Sequence, residues 1–324
     1  MPKILVAMSL EAYDRVISEV VRNRLAELGS VTTCLNPRDV PDSDYDALWT
    51  SSDYCVSGWG VRAPNPDRLG TEPRLKAICH AAGSVRMFPR VLIERGVVIT
   101  SARSAIARTV AEFALACAMH LMRGMGAFCR HERRKPLSAT LYDKTVALIG
   151  CGCVGRRLRE LLRPFGGRIL VFDPYMSPSA AADLDVELVP LDTALAQAHV
   201  VSLHAPDTPE TRGMIGGREL ALMADGALLI NTARGRIVDT DALTAELSTG
   251  RISAALDVTD PEPLPEDHPL RLLPNVLVTP HVAGPTTDDL PLLGDAALDE
   301  LERIMRGDRP INRIGLEDYD RMSF

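Results

Sequence analysis

The chain has 324 residues, 46% of them hydrophobic and 24% charged, with 36 Lys and Arg against 43 Asp and Glu. That is the balance of a globular protein, and the length exceeds what one ordinary core fills, so two domains are expected. The net charge of −7 speaks against a nucleic-acid or anionic-membrane partner. Seven cysteines, odd in number and scattered through apolar segments, speak against a disulfide framework and read as reduced cytoplasmic thiols.

Taken in chain order, the start, residues 1–3 followed by the apolar run 4–7, is too short for a signal peptide and reads as the first strand. Residues 11–28 read as one amphipathic helix stopped by Gly29, and 31–34 and 45–49 as two further strands. The stretch 51–72, rich in Gly, Pro, Asp and Ser, reads as loop. Then come a strand at 75–79, a small-residue loop at 80–84, a helix at 88–94 and a strand at 97–100. Alternating strands and helices predict an α/β fold with a mostly parallel sheet. Residues 105–122 form an apolar helix that should be buried, closed by Gly124. It is not read as a membrane span, since no apolar run in the sequence reads as long enough for one. The basic stretch 130–135 reads as a solvated linker in so acidic a chain.

Residues 145–155 carry the most informative pattern. A short apolar strand runs into Gly150, Gly152 and Gly155 in G-x-G-x-x-G spacing, followed by helical spacing of Leu158, Leu161 and Leu162. Gly150 allows the tight turn, Gly152 admits a pyrophosphate to the backbone, and Gly155 lets the helix pack close. The helix N-terminus offers N–H groups and a positive dipole end to phosphates. The next strand, 168–172, ends on Asp173, 18 residues beyond Gly155. A carboxylate at about that distance bonds the adenine ribose and repels a 2′-phosphate, so NAD is favoured over NADP. Cys151 and Cys153, in the same turn, read first as small residues that fit; a thiol sensitised by the helix N-terminus is the alternative. They make a poor ligand pair, and no metal site is expected.

Further strands are expected at 186–189, 200–204, 227–231, 253–258 and 276–279, with a helix at 288–306 and a polar tail that returns to the first domain. In open α/β sheets ligands lie beyond the carboxyl ends of the strands. Three such ends carry suggestive side chains: Arg234, the Asp257–Glu262 segment, and His281. Arg holds a carboxylate bidentately, His transfers a proton near neutral pH, and a neighbouring carboxylate orients it. His120 and His199 read as structural.

With these segments the sequence resembles the D-isomer-specific 2-hydroxyacid dehydrogenases. The motifs that carry the likeness are the glycine loop, the segment 200–211 with His204, Ala205 and Pro206, the segment 231–239, Asp257 with Glu262, and the segment 279–284. The resemblance implies a Rossmann NAD-binding domain (104–289) inserted into a flavodoxin-like substrate domain built from 1–103 and 290–324, with the active site in the cleft between them. It implies that Arg234 binds the substrate carboxylate and carbonyl oxygen, that His281 is the acid/base and that Glu262 is its partner. It places Asp257 on the nicotinamide amide and His204, Ala205 and Pro206 along the nicotinamide. It adds Cys153, Val154, Thr232, Ala233 and Gly284 to the cofactor site. Backbone N–H groups of the Gly83 and Ser84 loop would hold the substrate carboxylate. The implied partner is a small 2-hydroxy or 2-keto acid, and the implied assembly a homodimer.

The chain departs from the family pattern at four places. Cys153 stands where many relatives carry Arg, His199 where Asp is usual, and Thr259 where an aromatic residue often follows Asp-Val. The loop 80–86 replaces Gly-x-Gly-x-Asp, with Arg86 at about the place of an acid. His80 or Arg86 is thereby expected to add positive charge and favour a second anionic group on the substrate. Two alternatives stay open on sequence: an NAD(H)-sensing scaffold of the same fold, and a phosphite- or formate-type dehydrogenase. Formate enzymes carry Gln where this chain has Glu262.

Overall fold

The computed structural model describes residues 1–125 and 140–323; the basic stretch 130–135 lies outside them. The chain divides into two compact units, Met1–Ile106 with Pro285–Phe324, and Ala107–Gly284. The division falls inside the helix Arg103–Met122.

The first unit is built on a parallel five-stranded sheet in the order β2-β1-β3-β4-β5, comprising β1 (Lys3–Met8), β2 (Ser30–Leu35), β3 (Tyr54–Ser57), β4 (Ala77–His80) and β5 (Val98–Ser101). This is the flavodoxin-like order. Ile4, Val6 and Met8 of β1 point into one core with Val16, Val21, Leu293 and Leu301. Leu5 and Ala7 point into the other with Tyr45, Trp49 and Phe88. Burial on both faces is why β1 is apolar from Ile4 to Met8 instead of alternating.

Several local expectations are corrected here. The segment 11–28 is two helices, Leu10–Val16 and Glu19–Leu28. Ser18 breaks the run by accepting the Val21 N–H as an N-cap. Residues 45–49 are not a strand: they lie in the helix Asp42–Ser51. Tyr45, Ala47 and Trp49 alternate like a strand, but Tyr45 and Trp49 are also four apart, and their rings pack edge-on at 6.1 Å on one helical face. The third strand is instead β3, inside the stretch expected to be loop. Of 88–94 only Val91–Glu94 is helical. The tail returns as expected, through an antiparallel bridge between Thr100 and Arg313.

The second unit carries a parallel seven-stranded sheet in the order β12-β11-β10-β9-β6-β7-β8. Its strands are β6 (Val146–Ile149), β7 (Ile169–Phe172), β8 (Glu187–Leu188), β9 (Val200–Leu203), β10 (Leu228–Asn231), β11 (Ser253–Leu256) and β12 (Val276–Val278). Read from β8, this is the Rossmann order with one added strand, and it reverses between β6 and β9. The helix Arg103–Met122 has the length and hydropathy of a membrane span, against the sequence expectation, with a third of its most apolar window buried. It also carries Arg103, Arg108 and Glu112. Its small residues Ala111, Ala114, Cys117 and Ala118 pack in a core with β6, β9 and β10, so it is a core helix with one buried stripe and not buried all round.

Candidate active site

The glycine loop sits where the strand order reverses. Gly150 has φ +91°, and a Cβ there would lie 2.9 Å from both His204 C and Ala205 N. Glycine is therefore required both for the turn and for the approach of β6's end to β9's end. A Cβ on Gly155 would meet the Gly150 carbonyl oxygen at 2.6 Å, whereas one on Gly152 would meet nothing within 4 Å. Gly152 thus borders open space at the start of the helix Cys153–Leu162, whose N-terminus has no side-chain cap. Cys153 and Val154 are half-buried in that first turn. Cys151 is buried, and burial pushes its thiol up to about 11, which rules against the sensitised-thiol reading at that residue.

Asp173 closes the loop from β7. Its carboxylate accepts the N–H of Cys151 and of Tyr175, both at 2.9 Å, and two oxygens leave lone pairs for a ribose hydroxyl. At the ends of β9 and β10, His204 Nε2 and Thr232 Oγ1 are buried without a hydrogen-bond partner among the described residues. Burial lowers His204 to about 4, so the ring is neutral. Ala205 is buried and Pro206 half-buried beside it. Unpaired buried polar atoms are rare and call for an explanation. Two of them just past the carboxyl ends of β9 and β10, at the same edge of the sheet as the uncapped helix end and open glycine after β6, fit a dinucleotide whose nicotinamide end brings hydrogen-bonding groups.

The three strand-end segments form one connected network. Asn231, 1% exposed, accepts the Ala233 N–H at 3.0 Å and donates to the Arg234 carbonyl at 2.9 Å, clamping the turn that presents Arg234. Arg234 is half-buried, its guanidinium donating to the Ala233 carbonyl at 2.7 Å. A Cβ on Gly235 would lie 2.0 Å from the Thr259 carbonyl oxygen, so this turn rests directly on the segment leading to Glu262. Asn231 also accepts the Asp257 N–H at 3.0 Å through its carbonyl.

Asp257, 3% exposed, organises the histidine loop. One carboxylate oxygen accepts Thr279 Oγ1 at 2.6 Å and Val282 N–H at 2.9 Å, and the other accepts Ala283 N–H at 2.9 Å. Its own carbonyl accepts His281 N–H at 2.9 Å. His281 has φ +56°, a left-handed conformation that costs a non-glycine residue about 1 kcal/mol or more; these four bonds hold it there. Its Nδ1 then meets Glu262 Oε1 at 2.5 Å. Gly284 ends the loop. Asn231 and Thr279 lie inside motifs noted in the sequence, yet their clamping roles were not foreseen. The available signal was a polar residue closing each apolar strand.

The Gly83 and Ser84 loop belongs to the first unit. Among the described residues no acceptor meets the Gly83 or Ser84 N–H, while the Ser84 hydroxyl donates to the Ser323 carbonyl at 2.7 Å. The expected positive charge is corrected. His80 is 1% exposed with Nδ1 2.9 Å from Ser57 Oγ, and burial lowers it to about 4, leaving it neutral. Arg86 turns to the tail, donating to the Tyr319 carbonyl at 3.2 Å with its guanidinium 4.7 Å from the Tyr319 ring centre. His199 Nδ1 accepts the Thr145 N–H at 3.2 Å, a structural bond. Among the described residues no cluster of side chains has metal-ligand geometry.

Residues 104–283, more than half of the chain, match the family model for the NAD-binding domain of D-isomer specific 2-hydroxyacid dehydrogenases. The chain is 34% identical over 259 residues to a D-3-phosphoglycerate dehydrogenase of Methanocaldococcus jannaschii, covering 77% of this chain and 49% of that one. It is 32% identical over 257 residues to a glyoxylate reductase of Korarchaeum cryptofilum, covering 76% and 77%. It therefore spans about half the length of the phosphoglycerate dehydrogenase it matches. A crystal structure of a phosphoglycerate oxidoreductase from Rhizobium etli superposes with a TM-score of 0.83 at 27% identity, over 97% of this chain and 98% of that one.

Proposed function

The chain belongs to the D-isomer specific 2-hydroxyacid dehydrogenase family, and from that premise we propose that it transfers hydride between NAD and a small D-2-hydroxy acid or its 2-keto acid. The observation that carries the reading is the His281–Glu262 pair at 2.5 Å, held on the same network of strand ends as Arg234. Bound NADH supplies the hydride. Arg234 takes the substrate carboxylate and carbonyl oxygen in its planar fork. Glu262 on Nδ1 fixes the imidazole so that Nε2 is the nitrogen that faces substrate. In reduction Nε2 gives its proton to the carbonyl oxygen as carbon gains the hydride; in oxidation it takes the hydroxyl proton back. The amides of Gly83 and Ser84 add neutral donors to the substrate carboxylate. Asp173 selects NAD.

The assembly we propose is a homodimer through the NAD-binding unit. Met119, on the apolar helix Arg103–Met122, is 44% exposed, a side chain that a second subunit would cover. The compartment we propose is the cytoplasm, in keeping with six described cysteines that are all unpaired.

The test follows NADH consumption with glyoxylate, hydroxypyruvate, pyruvate, phenylpyruvate, oxaloacetate and 2-ketoisocaproate. Wild-type turnover with at least one acid, reduced about 10²–10⁴-fold in His281→Ala, is expected. Turnover indifferent to that substitution, or none despite tight NADH binding, would overturn the reading; the latter favours the NAD(H)-sensing scaffold.

A further inference from the structure

The tail after the helix Pro291–Arg306 is anchored before it reaches the 83–90 segment. Glu300, 3% exposed, accepts the Ile311 N–H at 3.0 Å, the Asn312 N–H at 3.0 Å and Asn312 Nδ2 at 3.0 Å. Ile314 N–H donates to the Ile99 carbonyl at 2.8 Å, so the tail pairs with β5, the edge strand of its sheet. The helix Leu316–Asp320 then reaches the loop that departs from the family pattern.

The contacts there are reciprocal. Tyr319, 6% exposed, shares a core with Val85 and Phe88. Its hydroxyl donates to the Phe88 carbonyl at 2.7 Å and approaches the Arg86 carbonyl at 3.4 Å. Arg86 donates back to the Tyr319 carbonyl and lies over its ring. The Ser84 hydroxyl is turned to the Ser323 carbonyl. Arg90 grips Asp320 with two bonds at 3.0 and 3.2 Å. Both side chains with which the loop could address a ligand, Ser84 and Arg86, are thus engaged by the tail. What the loop has left to offer is backbone N–H.

We propose that Tyr319 is a positioning residue for substrate. Together with Arg86 and the Ser323 carbonyl it fixes residues 83–88 so that the Gly83 and Ser84 amides stay available to a carboxylate. This rests on the reading of that loop as the carboxylate-binding loop. Packing alone needs only the Tyr319 ring; the hydroxyl, which gives its one proton to the Phe88 carbonyl and lies near the Arg86 carbonyl, fixes the backbone path of the loop.

Tyr319→Phe separates the two roles, because it keeps the ring and drops the hydroxyl. Expected are a rise of about 3- to 10-fold in KM for the 2-keto acid, kcat within about twofold, and faster amide hydrogen exchange over residues 83–88. NADH affinity, which belongs to the other unit, stays unchanged. Unchanged KM and unchanged exchange would overturn the proposal. So would a joint fall of kcat, NADH affinity and melting temperature, which marks a merely structural residue. If wild type turns over no 2-keto acid, the functional reading fails separately, and exchange over 83–88 still decides whether Tyr319 fixes the loop. Tyr319→Ala, which also removes the ring under Arg86, should speed exchange further; the same rate as Tyr319→Phe would show that Arg86 stacking plays no part in the device and overturn its role.

Discussion

At the scale of single residues, burial decides more than residue type. His80 and His281 are both histidines near strand ends; the sequence made His80 a candidate for added positive charge and His281 the acid/base. His281 is half exposed and meets a carboxylate; His80 is sealed beneath Phe88, with ring centres 5.5 Å apart. His80 has an acid-stability consequence. Its folded pKa, about 4, lies below the unfolded value of about 6.5, so the unfolded chain binds the extra proton. Stability therefore falls as pH drops through about 6.5 and levels off near 4, by about 3 kcal/mol in all. His80→Asn should flatten this part of the stability–pH curve of the first unit, as measured by urea unfolding at steps across that window. An undiminished slope in the variant would assign the acid sensitivity elsewhere.

At the scale of elements, the decisive unit is the loop 279–284, and Asp257 governs it from the neighbouring strand. The sequence assigned Asp257 to the cofactor by resemblance. The structure commits both carboxylate oxygens to the histidine loop, which leaves its remaining lone pairs for any ligand. Asp257→Asn would set an amide NH₂ against N–H donors. A lost hydrogen bond to a charged group is worth about 2 kcal/mol, so kcat should fall about 30-fold as His281 leaves its left-handed conformation. Single-turnover kinetics with pre-bound NADH check this. A variant impaired only in NADH affinity would make Asp257 a cofactor contact and not a holder of the loop. The miss at 45–49 is also an element-scale lesson, since five residues with apolar side chains at both two- and four-residue spacing satisfy either period.

At the scale of the whole molecule, the cofactor motifs all fall within Ala107–Gly284, so ligand stabilisation should be local to that unit. NADH at 100 times its Kd should stabilise it by about 2.7 kcal/mol. The same concentration of NADPH should do far less, because the Asp173 carboxylate opposes a 2′-phosphate. Differential scanning calorimetry of the chain with each nucleotide reads this out. Equal shifts would remove Asp173 as the selector.

What could be read from the chain were the parts whose signal is local. The glycine loop was legible because Gly150 and Gly155 answer steric demands a few residues apart. The parallel α/β architecture was legible because most of its strands, buried on both faces, are short apolar runs, although β3 was read as loop. Arg234, Glu262 and His281 were legible as strand-end side chains in recognisable motifs. What depends on partners distant in the chain came from the folded molecule. It paired Nδ1 of His281 with Glu262, gave Asp257 and Asn231 their clamping roles, silenced His80 by burial, and turned Arg86 toward Tyr319. A hydrogen bond across 233 positions, such as Arg86 to Tyr319, leaves no periodicity for a sequence to show. It exists because the sheet edge at β5 brings the tail back beside the loop.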